Sequence, residues 1–483
     1  MTEKNLKSKT VTGFLWRFME RCGAQGVSFV VSIIVARILD PAVYGVVALV
    51  NAFIALFTAF VDSGMGNSLI QKKNSDDLDF STVFYFNVFM CLSVYGVIFA
   101  TAPLFASAYR MPQLTLLIRV SAITVLISGV KNIQQAYVSK HMLFKRFFFA
   151  TLGGTIGAGF VGIFMAYHGF GVWAIIAQSL FNTTVDTIIL WITVKWRPKW
   201  MFSFSRLKGL FSYGWKILVS GLLDVGYGKL RQFVIGLKYS ASDLAFYNKG
   251  DTFPNLIVTN INTSIASVLF PVMSKVQDDK NQVRNILSTS IKTGIYIIAP
   301  LMMGLAATSA PVIRLLLTEK WMPCVPFLRI CCIAYIFYPL HSANLSAIKA
   351  IGRSDLFLRL EIFKKIAGVI ILLISMNISV MAMGYSLLVS SLCSQIINSW
   401  PNKKLLGYSY LKQIRDILPS LLLSAFMGTV VYCVTLLHLS DWLTLLIQIP
   451  LGALIYILGS VLFKIDSFQY ALGIVKNFIK KKG

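Results

Sequence analysis

Charged and amide side chains recur at helical spacing inside long apolar runs of this chain. Arg17, Arg21, Gln25, Ser28 and Ser32 follow one another in steps of four, four, three and four, which sets all five on one face of a helix. Lys216, Ser220, Asp224, Tyr227 and Arg231 repeat the pattern. Asn51, Thr58 and Asp62 form a third stripe, and Asp251, Asn255, Thr259 and Asn262 a fourth. A charge at the centre of a bilayer costs about 2.5 to 3.5 kcal/mol on insertion scales, so such residues turn toward water, a partner or a ligand. An arginine fork grips two phosphate oxygens at once, whereas a lysine acts as a point charge. The stripes therefore suit a hydrophilic, anionic cargo. Arg17, Arg21, Lys216 and Arg231 are the anion-binding candidates, and Asn51, Asp62, Asp224 and Asp251 the polar or ion-coupling candidates. Other readings stand beside these: Arg17 and Lys216 sit where long side chains snorkel to the interface, and Asp62 and Asp224 can be counter-ions that make the arginines tolerable. Arg37 reads as an interfacial partner of Asp40, and Lys131, Lys292 and Lys349 as snorkelling residues near helix ends.

The elements that must hold these stripes are membrane spans. Of 483 residues, 56% are hydrophobic and 13% charged, and the mean hydropathy is +0.72, outside the balance of a soluble domain. A span needs roughly 20 apolar residues. Runs of that kind predict helices over 12–38, 43–66, 81–106, 115–137, 148–168, 172–194, 208–235 and 251–273, then 287–310, 325–349, 361–378, 381–399, 415–437 and 441–463. The expectation is an all-α polytopic membrane protein of about fourteen helices. The basic start, MTEKNLKSKTVTGFLWRF, has no small-residue cleavage site and reads as a cytoplasmic lead-in. An even count then puts both termini on the cytoplasmic side.

With that orientation the external loops hold only Arg110, Lys238, Lys249 and Lys320, while Lys195 to Lys199, Lys364, Lys365, Lys403, Lys404 and Lys480 to Lys482 fall inside. This is the positive-inside pattern. A net charge of +26 thus orients the chain against anionic lipid and does not imply nucleic acid.

Residues 36–71 lie over 236–271 with Asn51 on Asp251, Phe53 on Phe253, Asp62 on Asn262 and Leu69 on Leu269. Six intervening helices keep the two copies in the same orientation, as in transporters whose halves are related by an axis along the membrane normal. The plan expected is a six-helix lobe over 1–200, a second over 201–402 related by a pseudo-two-fold, and two added helices with a basic tail over 403–483. If the striped helices line a cleft between lobes, the cleft is wet and net basic. Pro254, Pro271, Pro300 and Pro339 mark possible bends, and GGTIGAGFVG of the fifth span reads as close packing before it reads as a hinge.

Several chemistries lack their residues. There is no GxxxxGK[ST] loop for ATP, so transport has to draw on a gradient. Cys22, Cys91, Cys324, Cys331, Cys332, Cys393 and Cys433 are scattered through apolar runs, and His141, His168, His341 and His438 are too dispersed for a metal site. No metal, no cofactor and no catalytic Ser, His and Asp grouping is expected, and short external loops argue against an extracytoplasmic enzyme.

The stretches IIVARILDPAVYGVVAL and FVDSGMGNSLIQKK, then LFSYGWKILVSGLL, VLFPVMSKVQ, TEKWMPCVPFLRI and AIKAIGRSDLFLRL, resemble the polysaccharide-export branch of the multidrug/oligosaccharidyl-lipid/polysaccharide exporter superfamily. The nearest subgroup is the lipopolysaccharide and teichuronic-acid flippases. The resemblance runs over nearly the whole chain. It implies two lobes working by alternating access in the bacterial inner membrane, carrying undecaprenyl-pyrophosphate-linked oligosaccharide from the inner to the outer leaflet. Lipid-linked oligosaccharide is then the substrate, and a polysaccharide polymerase and glycosyltransferases are the protein partners. Arg17 and Arg21 match the low first-helix arginines that meet pyrophosphate in related flippases. Where relatives carry arginines on the second and eighth helices this chain has Asn51 and Asp251, which leaves an anion clamp to the first and seventh. Cation-coupled drug export is a second reading, disfavoured by the basic cleft, and a membrane polysaccharide polymerase a third.

Overall fold

A backbone in hydrocarbon has no water to bond, and the helix satisfies every amide within its own segment. The computed structural model describes residues 3–61, 65–72, 75–141, 143–469 and 473, and among these every regular element is a helix. The chain divides into two compact units, Met1–Ala245 and Phe246–Gly483.

The first unit holds α1 (Glu3–Ile38), α2 (Pro41–Val61), α3 (Met65–Gln71), α4 (Asp77–Ala108), α5 (Gln113–Ser121), α6 (Ile123–Lys140), α7 (Phe144–Tyr167), α8 (Val172–Thr193) and α9 (Phe204–Lys238). It also takes the opening residues of α10 (Ala241–Lys275). The second unit contains the rest of α10, then α11 (Lys280–Ala307), α12 (Ser309–Leu317), α13 (Val325–Ile336), α14 (Tyr338–Ala350), α15 (Ser354–Ser375), α16 (Val380–Leu406), α17 (Tyr410–Val434) and α18 (Asp441–Leu462). Among the described residues twelve helical spans are long and apolar enough to cross a bilayer. The predicted fourteen exceed this by α9 and α15, whose 35 and 22 residues suffice in length. Charges such as Asp224, Lys229 and Arg231 in α9, and Glu361, Lys364 and Lys365 in α15, keep them out of the apolar set.

The prolines act differently from one another. Pro254, Pro271 and Pro300 sit inside the continuous helices α10 and α11. Pro339 falls in the first turn of α14, just after the break at Phe337, where its missing N–H costs nothing.

The glycine run of α7 is a packing seam. A Cβ at Gly154 would stand 2.9 Å from Asn182 Oδ1, at Gly157 2.7 Å from the Phe181 ring, at Gly159 2.6 Å from Val31 Cγ2, and at Gly162 2.6 Å from Gln178 Oε1. Removing four β-carbons thus lets α7 close on α1 and α8, the small-residue packing that lipid favours.

At the N-terminal end of α4, Asp76 and Asp79 form a capping box, Asp79 N donating to Asp76 Oδ1 at 2.9 Å and Asp76 N to Asp79 Oδ2 at 3.2 Å. The backbone N–H of Asp79 holds the Asp76 carboxyl below its ordinary value. Asp79 has no side-chain exposure and is paired with Lys72 at 2.5 Å and Arg206 at 3.4 Å. The connection from α8 to α9 is fastened to the same place. Lys199 N donates to Ser81 Oγ at 3.0 Å, Ser203 N to Thr82 Oγ1 at 3.2 Å and Trp196 Nε1 to Asp77 Oδ1 at 3.0 Å, while Lys199 pairs with Asp77 at 2.6 Å.

In the second unit a fully buried amide cluster ties α14, α16 and α17 together. Asn344 Nδ2 donates to Gln413 Oε1 at 2.8 Å, Asn402 Nδ2 to Asn344 Oδ1 at 2.6 Å, and Ser399 Oγ to Gln413 Oε1 at 3.1 Å. Interhelical bonds of this kind add to association in lipid.

Candidate functional site

The helices that carry the stripes predicted on the second and seventh spans, α2 and α9, pack against each other in the first unit. Gly45 faces the backbone of Ala241, Leu49 faces Gly236 and Leu56 faces Gly226. Such pairing means that α2 and α9 run antiparallel, with Asn51 and Arg231 level to within about a turn. Asn51 is exposed and Arg231 half-buried. Asp224, exposed on α9, lies about 10 Å nearer that helix's start at 1.5 Å per residue. Tyr109 of α4 braces the same pair, its hydroxyl donating to Phe233 O at 3.0 Å.

Arg21 is exposed on α1, beside Glu20, which is 7% exposed and accepts from Thr151 Oγ1 of α7 at 3.3 Å. The backbones of Arg17 and Lys216 lie in α1 and α9, but their side chains fall outside the described residues, as Asp62 does altogether. Asp251 is half-buried on α10 in the second unit. It accepts from Tyr335 Oη of α13 at 2.5 Å and from Asn255 Nδ2 at 3.4 Å, and Thr259 Oγ1 donates in turn to Asn255 Oδ1 at 2.6 Å. The α10 stripe is therefore a hydrogen-bonded ladder anchored on α13.

Two features escape the stripe argument. Lys131, expected to snorkel, pairs instead with Asp186 of α8 at 3.1 Å, their side chains 17% and 12% exposed. Lys292 likewise pairs with Asp466, at 3.8 Å. The second feature is a cavity of about 310 Å³ in the first unit, lined from the closing turns of α1, the opening turn of α2, the middle of α7 and the first half of α8. Ser28 and Ser32 of α1, Thr155 of α7, Gln178, Ser179 and Asn182 of α8 and Tyr44 of α2 supply its polar lining. Val35, Ala158 and Ile175 make the apolar wall. Ser32 and Thr155 donate to carbonyls of their own helices, at 2.9 and 2.7 Å. The side-chain amides of Gln178 and Asn182 have no partner among the described residues. The signal was present in the sequence: Gln178, Asn182 and Asp186 step by four along α8, the same spacing that marks the first stripe.

A family described as "Polysaccharide biosynthesis protein" matches residues 34–326. The chain is 24% identical over 416 residues to the teichuronic acid biosynthesis protein TuaB of Bacillus subtilis (strain 168), covering 82% of this chain and 84% of that one. It is 24% identical over 445 residues to the lipopolysaccharide biosynthesis protein WzxC of Escherichia coli (strain K12), covering 88% and 89%. Among solved structures, the lipid II flippase MurJ in an inward closed conformation matches with a TM-score of 0.73 at 15% identity, over 94% of this chain and 99% of that one. At that identity the likeness is one of fold. With more than half of its length matched, this multi-pass membrane protein belongs to the polysaccharide biosynthesis protein family.

Proposed function

We propose that the protein is a flippase of the bacterial cytoplasmic membrane that moves undecaprenyl-pyrophosphate-linked oligosaccharide units from the inner to the outer leaflet for surface polysaccharide assembly. The observation that carries this is the half-buried Arg231, level with Asn51 on a helix pair inside the membrane, in a chain whose relatives along most of its length are polysaccharide biosynthesis proteins. A permanent cation held there suits a pyrophosphate. It does not suit the cationic cargo of a drug pump.

In this reading Arg17, Arg21, Lys216 and Arg231 take the pyrophosphate as the headgroup enters from the cytoplasm, and the polyprenyl tail stays in lipid. Lobes over 1–200 and 201–402 alternate their access, with helices over 403–483 alongside and both termini cytoplasmic. Ligand biases the two states only through contacts that differ between them. Asn51, Asp62, Asp224 and Asp251 keep the pathway wet and serve as counter-ions or as sites for a coupling ion. Glycosyltransferases supply the cargo and a polymerase consumes it.

The test is deletion of the gene followed by leaflet-resolved assay of lipid-linked oligosaccharide. Complete units trapped in the inner leaflet, with loss of the surface polymer, are expected. Restoration by the wild-type gene but not by an Arg21→Ala gene expressed at equal level completes the result. Unchanged lipid-linked sugars together with new drug sensitivity would replace this reading with drug export.

A further inference from the structure

The cavity lined by α1, α2, α7 and α8 has a chemistry distinct from that of the arginine stripes. It contains no ionisable side chain other than the Tyr44 phenol. Neither a phosphate nor a cation would find a countercharge in its lining. What it offers are hydroxyls and two side-chain amides, each amide with two N–H donors and a carbonyl acceptor, and these amides are unpartnered among the described residues.

Gln178 and Asn182 are half-buried and line the cavity with their hydrogen-bonding capacity unspent among the described residues, so they suit an occupant that both donates and accepts. Ser32 already donates to its own helix, which leaves its oxygen as an acceptor. Vicinal hydroxyls of a sugar ring donate and accept in just this way, and the C–H face of a pyranose suits the apolar wall at Ile175. The volume of about 310 Å³ lies at the small end for ligand sites and is enough for a single ring.

We infer that this cavity is a subsite for one neutral sugar residue, with Gln178 and Asn182 as its specificity-determining hydrogen-bonding groups. Within the flippase reading on which it rests, the sugar is one residue of the lipid-linked oligosaccharide. Charge recognition by the arginines then fixes the pyrophosphate end, and this subsite discriminates between oligosaccharides. A site built to bond a hydroxyl rejects an analogue that lacks it far more strongly than an apolar pocket does.

The test uses the purified full-length protein and methyl glycosides of glucose, galactose, mannose, rhamnose and N-acetylglucosamine at millimolar concentration, with inorganic pyrophosphate as the anionic probe. A bound ligand raises the thermal midpoint. At least one neutral glycoside is expected to do so. Gln178→Met with Asn182→Leu is expected to lower its affinity about tenfold or more, two hydrogen bonds' worth, and to leave any response to pyrophosphate unchanged. If that variant does not fold, Ser179→Cys in the otherwise wild-type chain replaces it, with glycoside protection of the thiol from a maleimide as the readout. No response to any neutral glycoside, or a response the substitutions leave intact, overturns the subsite. The leaflet assay scores the flippase reading separately. Trapped lipid-linked oligosaccharide without glycoside binding removes the subsite alone, and glycoside binding without trapped oligosaccharide removes the flippase reading alone.

Discussion

Gly45 of α2 lies so close to Ala241 that a β-carbon on it would stand 1.7 Å from the Ala241 carbonyl oxygen. No rotamer relieves a clash with backbone, so Gly45→Ala must push α2 away from the start of α10. Overpacking of this kind costs about 1–3 kcal/mol. Gly26→Ala on α1, where nothing stands within 4 Å, serves as the control and should be neutral or gain up to about 1 kcal/mol from helix propensity. Thermal unfolding in detergent compares the two, and equal midpoints would mean that the Gly45 approach is not maintained in solution.

The Lys131 and Asp186 pair gives a prediction with opposite signs for single and double changes. Asp186→Ala leaves Lys131 uncompensated among helices and should cost about 3–5 kcal/mol, whereas Lys131→Met with Asp186→Leu should be neutral or stabilising. A double-mutant cycle on thermal stability reads the coupling, and strict additivity of the two single changes would contradict it.

Asn344→Leu removes the shared partner of Asn402 and Gln413. Gln413 keeps Ser399 and the Tyr408 carbonyl, but Asn402 Nδ2 is left with only a 3.5 Å approach to the Asn344 carbonyl, and an unsatisfied buried amide costs about 1–3 kcal/mol. The expected result is a lowered midpoint that Thr429→Ala does not reproduce, because Thr429 is exposed and donates to Ala425 O within its own helix.

Acid should act at the start of α4. Asp76 is held below its ordinary value of 3.8, so its contribution is fully present above that pH and fades as pH falls through the lowered value. The stability difference between wild type and Asp76→Ala should therefore be constant near neutrality and narrow below pH 3.8. A difference that stays constant into acid would remove the charged cap as its cause.

Hydropathy was enough to place the helices, because a span must be long and apolar whatever it packs against. Twelve of the fourteen predicted spans are apolar enough by composition among the described residues, and the other two, α9 and α15, are helices whose charges set them outside that criterion. Stripes on single helices were legible in the same way, and the α10 ladder from Asp251 to Thr259 follows its sequence spacing directly. Partnership between helices was not legible. Lys131 looked like a snorkelling end residue because its counter-charge lies 55 residues away and comes near only once α6 and α8 pack. The cavity is hidden in the sequence for a related reason: its lining comes from four helices and its polar groups are neutral.

The seam along α7 bears on how that cavity would receive a ligand. Gly154 and Gly162 are filled by the side chains of Asn182 and Gln178 themselves, so the two amides are braced against α7 backbone before any ligand arrives. Immobilising a flexible side chain on binding ordinarily costs about 0.5–1.5 kcal/mol. Here folding has already restricted both, and the affinity of the cavity depends on glycines that never touch its occupant. Substituting either would drive a β-carbon to within 3 Å of the amide that fills it and displace that amide from the cavity wall, although neither glycine lines the cavity itself.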